Sequence, residues 1–176
     1  MTATAARFGH AGLAAMLVAF TAQAASGHGL ILKKRLSAAL AMEAVLEAVD
    51  VCKKAGYAVS VVIVDTEGVR QALLRGDGAT VHTLDSAYAK AYTAASLAPV
   101  RKDGSTKGLS ERIAKTPGVS TAGLASLPNI NFTPGGVTIM AGEDLIGGIG
   151  VGGAPGGNFD HDCAVAALAK IKDRMI

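Results

Sequence analysis

The sequence contains no tryptophan and few other aromatic residues, which limits the kind of core that it can build. Of its 176 residues, 50% are hydrophobic but only 4% are aromatic. A chain of this length is expected to fold as one domain with a substantial core. We therefore expect that core to be aliphatic and rich in alanine.

A strong excess of one charge is also missing. The chain carries 17 basic and 14 acidic residues, and four histidines. So small a net charge does not indicate binding to nucleic acid. The histidines come with no Ser-His-Asp pattern and no paired-glutamate spacing, so the sequence gives little support to a hydrolytic enzyme.

The N-terminus carries an apolar run with the features of an export signal. Arg7 precedes the apolar residues 13–20, and Ala22-Gln23-Ala24 has the small-x-small pattern of a cleavage site. We interpret residues 1–24 as a secretory signal peptide, too short to span a membrane, and residues 25–35 as an N-terminal tail. A disordered or tag-like N-terminus is the alternative. No later stretch could span a bilayer, so we expect a periplasmic or secreted protein with no integral membrane span in its mature chain.

Cysteine is scarce, with one residue in each of the first and last predicted helices. An oxidising compartment permits a disulfide between Cys52 and Cys163. Two buried free thiols are the other interpretation, and for apolar helices we favour it.

The hydrophobic pattern predicts an α+β domain over residues 36–176. Ser37 can cap a first helix that Gly56 ends, and turn residues separate the strands that follow. The predicted helices cover residues 38–55, 83–97, 109–115 and 160–175, and the predicted strands cover residues 58–64, 69–75, 131–133, 137–141 and 145–151. Tight turns between strands favour a mainly antiparallel five-stranded sheet in a two-layer sandwich, with the helices packed on one side.

Two segments without regular structure are candidate functional regions. Residues 99–129 are basic and mostly without regular structure, and long loops in compact domains are often functional. Seven of the eleven residues 147–157, between a strand and a helix, are glycine. The run lacks the third glycine of a dinucleotide fingerprint and the Gly-Lys-Ser/Thr of a P-loop. Because Asp160 and Asp162 would repel a phosphate there, we expect another ligand or a backbone contact between chains, and hence a homo-oligomer.

Four segments, in order, resemble one family over residues 36–171. They read AVSVVIVDTEGV, AYAKAYTAAS, PGGVTI and GEDLIGGIGVGGAPGGNFDHDCAVAAL. The chain resembles the GlcG/HbpS family of haem-binding and haem-degrading proteins, also found as the C-terminal domain of PduO-type proteins. Two features depart from the family pattern: Thr138 stands where proline is expected, and the loop RKDGSTKGL is unusually basic.

The resemblance implies haem as cofactor, and haem iron takes histidine, tyrosine, cysteine or methionine as axial ligands. After loss of the signal peptide the histidines are His28, His82 and His161. His82 has Asp85 one turn on, where the carboxylate could orient the ring. We name His82 and His161 as candidate iron ligands, and the resemblance favours His82 over His161; for each, an ordinary solvated side chain is the alternative.

Other candidate haem-binding residues surround the second helix. The resemblance implies a role for Thr93, on the helix expected to face the pocket. Tyr88 and Tyr92 lie one turn apart and could line a flat macrocycle, with core packing as the alternative. Arg101 and Lys102 could pair with propionates, although a basic run can also be a plain solvated surface.

The sequence thus predicts a secreted or periplasmic protein that binds haem or a related tetrapyrrole, and leaves open whether it degrades haem. The first alternative is an oligomeric accessory subunit without a cofactor. The second is a small-molecule-binding protein or enzyme of a metabolic operon that uses no haem.

Overall fold

The computed structural model describes Gly29, residues 31–118 and residues 120–175. The predicted signal peptide, its cleavage site and His28 lie outside these residues. Five α-helices, four strands and a final 3-10 turn are present in the described part of the chain: α1 Ala38–Lys54, β1 Ser60–Asp65, β2 Arg70–Arg75, α2 His82–Val100, α3 Thr106–Ala114, α4 Ala122–Ala125, β3 Gly136–Ala141, β4 Asp144–Gly152, α5 Gly157–Ile171 and η1 Lys172–Arg174. None of these helices combines the length and the apolar character needed to cross a membrane.

The strands form one antiparallel sheet in the order β2-β1-β4-β3. The α+β class and the antiparallel sheet are therefore confirmed, with four strands instead of five. The predicted strand at residues 131–133 does not form because its polar groups bond elsewhere. The backbone N–H of Asn131 donates to Thr93 Oγ1 at 2.9 Å, and that of Thr133 donates to Asn131 Oδ1 at 2.9 Å.

The helices cover both faces of the sheet, whereas the sequence predicted helices on one side. Val61 and Ile63 belong to a core shared with α1 and α5, while Val62 and Val64 pack against alanines of α2. All six residues of β1 are buried. An unbroken apolar run of this kind is typical of a strand covered on both faces, and it is the signal that the two-layer prediction overlooked.

The glycines of β4 let α2 lie directly on the sheet. A Cβ added at Gly150 would stand 2.0 Å from the carbonyl oxygen of Ala87, and one added at Gly148 would stand 2.4 Å from that of Ala91. Only glycine permits so close an approach of two backbones. The glycines that the sequence assigned to a contact between chains are thus packed within this chain.

A disulfide joins α1 to α5. Cys52 and Cys163 are bonded, with their Cα atoms 5.7 Å apart, and both are buried. The expectation of two free thiols was wrong. The two helices pack side by side on one face of the sheet, a neighbourhood that no local sequence pattern reveals.

Several helix ends also differ from the prediction, and two of them have a clear physical reason. Helix α2 continues through Pro99 to Val100, since a proline in the last turn leaves most of the helix hydrogen bonds intact. Helix α5 begins at Gly157 with Gly156 at its N-cap, so Asp160 lies inside the first turn instead of capping it.

Candidate functional site

A buried ion pair connects α2 to the start of α5. Lys90 Nζ lies 2.7 Å from Asp160 Oδ2, and the two side chains are only 5% and 3% exposed. Lys90 also donates to the carbonyl oxygen of Val151 at 3.0 Å, while Asp160 Oδ1 accepts from the N–H of Ala154 at 3.0 Å. The pair therefore fixes the glycine-rich loop between β4 and α5.

The sequence analysis missed this pair, although one signal was available. Lys90 stands three residues after Ala87 and four before Ala94, on the buried alanine stripe of α2. A lysine at such a position needs a partner, because an unpaired buried charge is very costly. Its partner lies 70 residues away in the sequence, so the local sequence pattern could not predict which residue it pairs with.

Thr93 anchors the long loop to α2. Its side chain is fully buried, and its hydroxyl donates to the carbonyl oxygen of Ala89 at 2.8 Å. The same oxygen accepts from the backbone N–H of Asn131 at 2.9 Å. The Thr93 hydroxyl is thus engaged within the chain, and its role as a haem contact stays a prediction.

Two further threonines fix the start of β3. Thr106 Oγ1 accepts from the N–H of Gly136 at 2.9 Å, and Thr138 Oγ1 donates to the carbonyl oxygen of Ala94 at 2.7 Å. Thr138 replaces the proline of the family pattern, and here its hydroxyl ties β3 to α2. Together with Thr93, these residues tie α2, α3, β3 and the long loop to one another.

His82 is exposed at the first position of α2. Its Nδ1 lies 3.3 Å from the hydroxyl of Thr80, while Asp85 forms no hydrogen bond with it among the described residues. Eleven residues separate His82 from Thr93, which corresponds to about 16 Å along a helix axis. The two side chains lie on one face of α2, but they cannot both ligate the same iron.

Tyr88 and Tyr92 pack against the turn between β1 and β2. Their rings meet edge to face at 6.1 Å, and the Tyr88 hydroxyl donates to the carbonyl oxygen of Gly68 at 3.2 Å. The guanidinium of Arg70 lies 3.6 Å over the centre of the Tyr88 ring. One face of Tyr88 is thereby covered, and contact of these tyrosines with a macrocycle stays a prediction.

His161 has an unusual environment in the first turn of α5. It is half-buried, and its Nδ1 is buried with no hydrogen-bond partner among the described residues. Burial lowers the pKa of His161 below its ordinary value, as does Lys107, whereas Asp162 and Glu111 act in the opposite direction. The imidazole is therefore neutral at pH 7 and retains a lone pair for a metal.

Two adjoining pockets lie between α3 and the long loop, and we call them the loop groove. Their volumes are about 180 and 310 Å³, and both contact Ile113, Thr121 and Phe132. Most of the remaining lining is apolar or hydroxylic, and it comprises Leu97, Arg101, Leu109, Ser110, Arg112, Ala114, Thr116, Ser120, Leu124, Thr133 and Pro134. The sequence expectation that this loop forms a site is consistent with this shape.

The cations of the loop groove differ in how they are paired. Arg112 is held by Asp103, with contacts of 2.6 and 2.9 Å to its carboxylate. Arg101 is exposed and has no carboxylate within ion-pair distance in the described part of the chain. Lys102 follows it with a left-handed φ of 59° and is also exposed. Arg101 is therefore available to an anionic ligand at the rim.

The described residues thus form a small α+β domain in which the glycine-rich strand β4 lies against the alanine-rich helix α2. The family model for "Haem degrading protein HbpS-like" matches residues 36–169. The chain therefore belongs to the HbpS-like family, as the sequence resemblance predicted. A comparison with curated proteins finds no match.

Solved structures agree with this assignment. A double mutant of HbpS from Streptomyces reticuli is 34% identical, with a TM-score of 0.72 over 93% of this chain and 98% of that chain. Another HbpS structure is 36% identical, with a TM-score of 0.71 over 84% of this chain and 98% of that one. A complex of PduOC with heme is 26% identical, with a TM-score of 0.64 over 77% of this chain and 94% of that one.

Proposed function

We propose that this protein binds haem beside α3, with the loop groove as its apolar surface and His161 as ligand to the iron. His161 does not itself line the loop groove, but Lys107 and Glu111 of α3 act on the pKa of its imidazole. The observation that carries the proposal is membership of the HbpS-like family over residues 36–169. The similarity to PduOC, whose structure is a complex with heme, supports it.

Three features of the described residues support the proposal. The buried Nδ1 of His161 has no partner among them, and the lowered pKa keeps this imidazole neutral. Apolar side chains of the loop groove, Phe132 among them, offer a surface for a porphyrin. Arg101 and Lys102 supply cations for propionates, which bind best to guanidinium and ammonium groups. His82, which is exposed, is the alternative ligand.

Haem degradation is a second step that the family description favours. Bound haem would supply the redox chemistry with oxygen, while the protein would supply position and electrostatics. The residues of this chain would then orient the ring: Arg101 through the propionates, His161 through the iron.

We also propose that the protein is exported and acts in the periplasm or outside the cell. The predicted signal peptide motivates this, and the Cys52–Cys163 disulfide supports it, since disulfides persist in oxidising compartments. N-terminal sequencing of exported protein should begin at or near Ala25. An intact Met1 in that fraction would refute export by cleavage.

The predicted homo-oligomer requires a surface other than the glycine strand, which packs within the chain. Helix α1 offers one, because Met42 and Leu46 lie one turn apart and are 39% and 50% exposed. We propose self-association through this face. Light scattering should give the wild-type protein a mass above that of the monomer, and Leu46→Glu should lower this mass. A monomeric mass for the wild type would contradict the proposed self-association.

The haem proposal is tested by titrating purified protein with haemin and recording the Soret band. His161→Ala should shift its maximum and weaken binding, with each tenfold loss of affinity equal to about 1.4 kcal/mol. His82→Ala is the matched control, because it removes another histidine from a helix start. Arg101→Ala should weaken binding without moving the band. If only His82→Ala alters the spectrum, His82 is the ligand instead.

A further inference from the structure

A second cavity, of about 680 Å³, lies away from the loop groove and has no role in the function proposed above. It is lined by the segment before α1, the turn between β3 and β4, and the end of the chain. The lining residues are Lys34, Arg35, Leu36, Ser37, Leu40, Ala141, Gly142, Ile146, Arg174 and Met175. Its volume falls within the range of about 300–1,000 Å³ that is usual for ligand sites.

The lining of this cavity is divided between apolar and cationic groups. Leu36 and Ile146 are 7% and 5% exposed and provide an apolar floor with Leu40 and Met175. Lys34, Arg35 and Arg174 contribute three positive charges, and none of the described residues that line the cavity is acidic. A ligand suited to it would combine an apolar body with an anionic group.

The beginning of α1 adds to the positive potential. Ser37, which lines the cavity, is the N-cap of this 17-residue helix, and the described first turn contains no acidic residue. Unpaired N–H groups at a helix N-terminus attract anions. Here the helix end coincides with three cations and an apolar floor.

The three cations make ion pairs, two of which a ligand could exchange. Lys34 lies 2.7 Å from Asp144, and Arg174 lies 2.5 Å from Glu43. Arg35 lies 3.3 Å from Asp65 and 3.5 Å from Glu67. The side chains of the three cations are at least half exposed, and the exposed pairs of Lys34 and Arg174 contribute little to stability, whereas the Asp65 partner of Arg35 is only 6% exposed. A carboxylate in the cavity could thus share Lys34 and Arg174 at small cost, while Arg35 keeps its contact with Asp65.

We propose that this cavity binds a carboxylate carried on an apolar body, with the carboxylate at Lys34, Arg174 and the start of α1. The apolar body would lie against Leu36 and Ile146. A free long-chain fatty acid and a propionate-bearing tetrapyrrole both have this chemistry. The site does not depend on haem binding at the loop groove.

A fluorescent dansyl-labelled undecanoic acid tests the proposal, with its methyl ester as the matched control. The acid should bind one to one, and the ester, which lacks the charge, should bind about tenfold more weakly or worse. Arg174→Ala should weaken binding of the acid to a similar extent. Lys170→Ala should leave it unchanged, because Lys170 also faces a glutamate of α1, Glu47, at 3.9 Å but does not line the cavity.

A variant that fills the cavity with a side chain provides a second, independent test. Ala141→Trp places a large side chain in the cavity and should abolish binding of the probe, while circular dichroism confirms that the variant is folded. Haemin distinguishes the two sources. Displacement of the probe from the wild-type protein by haemin identifies a tetrapyrrole, and haemin binding without displacement identifies an acyl chain. Equal affinity for acid and ester, or no effect of Arg174→Ala and Ala141→Trp, would overturn the proposal.

Discussion

At the scale of single residues, the chain places its few buried polar groups where they hold the site together. Lys90 and Asp160 satisfy each other and also bind backbone groups of the glycine-rich loop. His161 is the exception, because its Nδ1 has no partner within the described residues. Buried polar groups are normally paired. The unpaired Nδ1 therefore indicates a functional role for His161, whereas the fully paired Lys90 has a structural role.

The Lys90–Asp160 pair should be essential to stability. Lys90→Met leaves the Asp160 carboxylate buried without its partner, and loss of one member of such a pair costs about 3–5 kcal/mol. Urea unfolding would measure this change. The double variant Lys90→Met/Asp160→Leu should be more stable than the single one, since no charge is left unpaired. A single variant as stable as the wild type would contradict the account.

His161 should make stability depend on pH. Its pKa in the folded protein is lowered from 6.5, first by burial and then by Lys107. The unfolded chain therefore takes up the proton first, and the stability present above pH 6.5 is lost as the pH falls towards the folded pKa. An NMR titration should give a midpoint below 6.5. Lys107→Ala should raise that pKa and Glu111→Gln should lower it; an unshifted midpoint would contradict the assignment.

At the scale of helices and strands, small residues decide how the layers pack. Alanines of α2 face glycines of β4, so that the helix touches the backbone of the sheet. This close contact brings Thr138 of β3 within hydrogen-bonding distance of the carbonyl oxygen of Ala94 in α2.

Gly150→Ala should therefore be strongly destabilising. The new Cβ would meet the carbonyl oxygen of Ala87 at 2.0 Å, and overpacking of this kind costs at least about 1–3 kcal/mol. Gly123→Ala is the matched control, because no described atom lies within 4 Å of a Cβ at Gly123 in α4. The control should be neutral or stabilised by up to about 1 kcal/mol. Equal urea midpoints for the two variants would refute this packing.

The disulfide between α1 and α5 should contribute about 2–4 kcal/mol, since it closes a loop of 111 residues. Reduction of the wild type should lower its thermal midpoint. The variant Cys52→Ala/Cys163→Ala should start from the lower value and not respond to the reductant. A wild-type midpoint that is insensitive to reduction would mean that the bond is absent.

At the scale of the whole molecule, the sequence was sufficient for what depends on local patterns. Helices α1, α2, α3 and α5, the turns and the four strands of the sheet follow from apolar spacing and from glycine, whereas α4 was not predicted. The family follows from four ordered segments. Local sequence patterns do not reveal contacts between distant segments. The helices on both faces of the sheet, the Lys90–Asp160 pair and the disulfide all depend on such contacts. The loop groove was predicted only as a functional loop, because its walls come from α2, α3 and residues 120–134.

The central claim is that this member of the HbpS-like family binds haem, and the haemin titration of the wild-type protein tests it most directly. We predict a Soret band that saturates at one haem per chain and that shifts in His161→Ala but not in His82→Ala. A spectrum identical to that of free haemin at every protein concentration would contradict the claim.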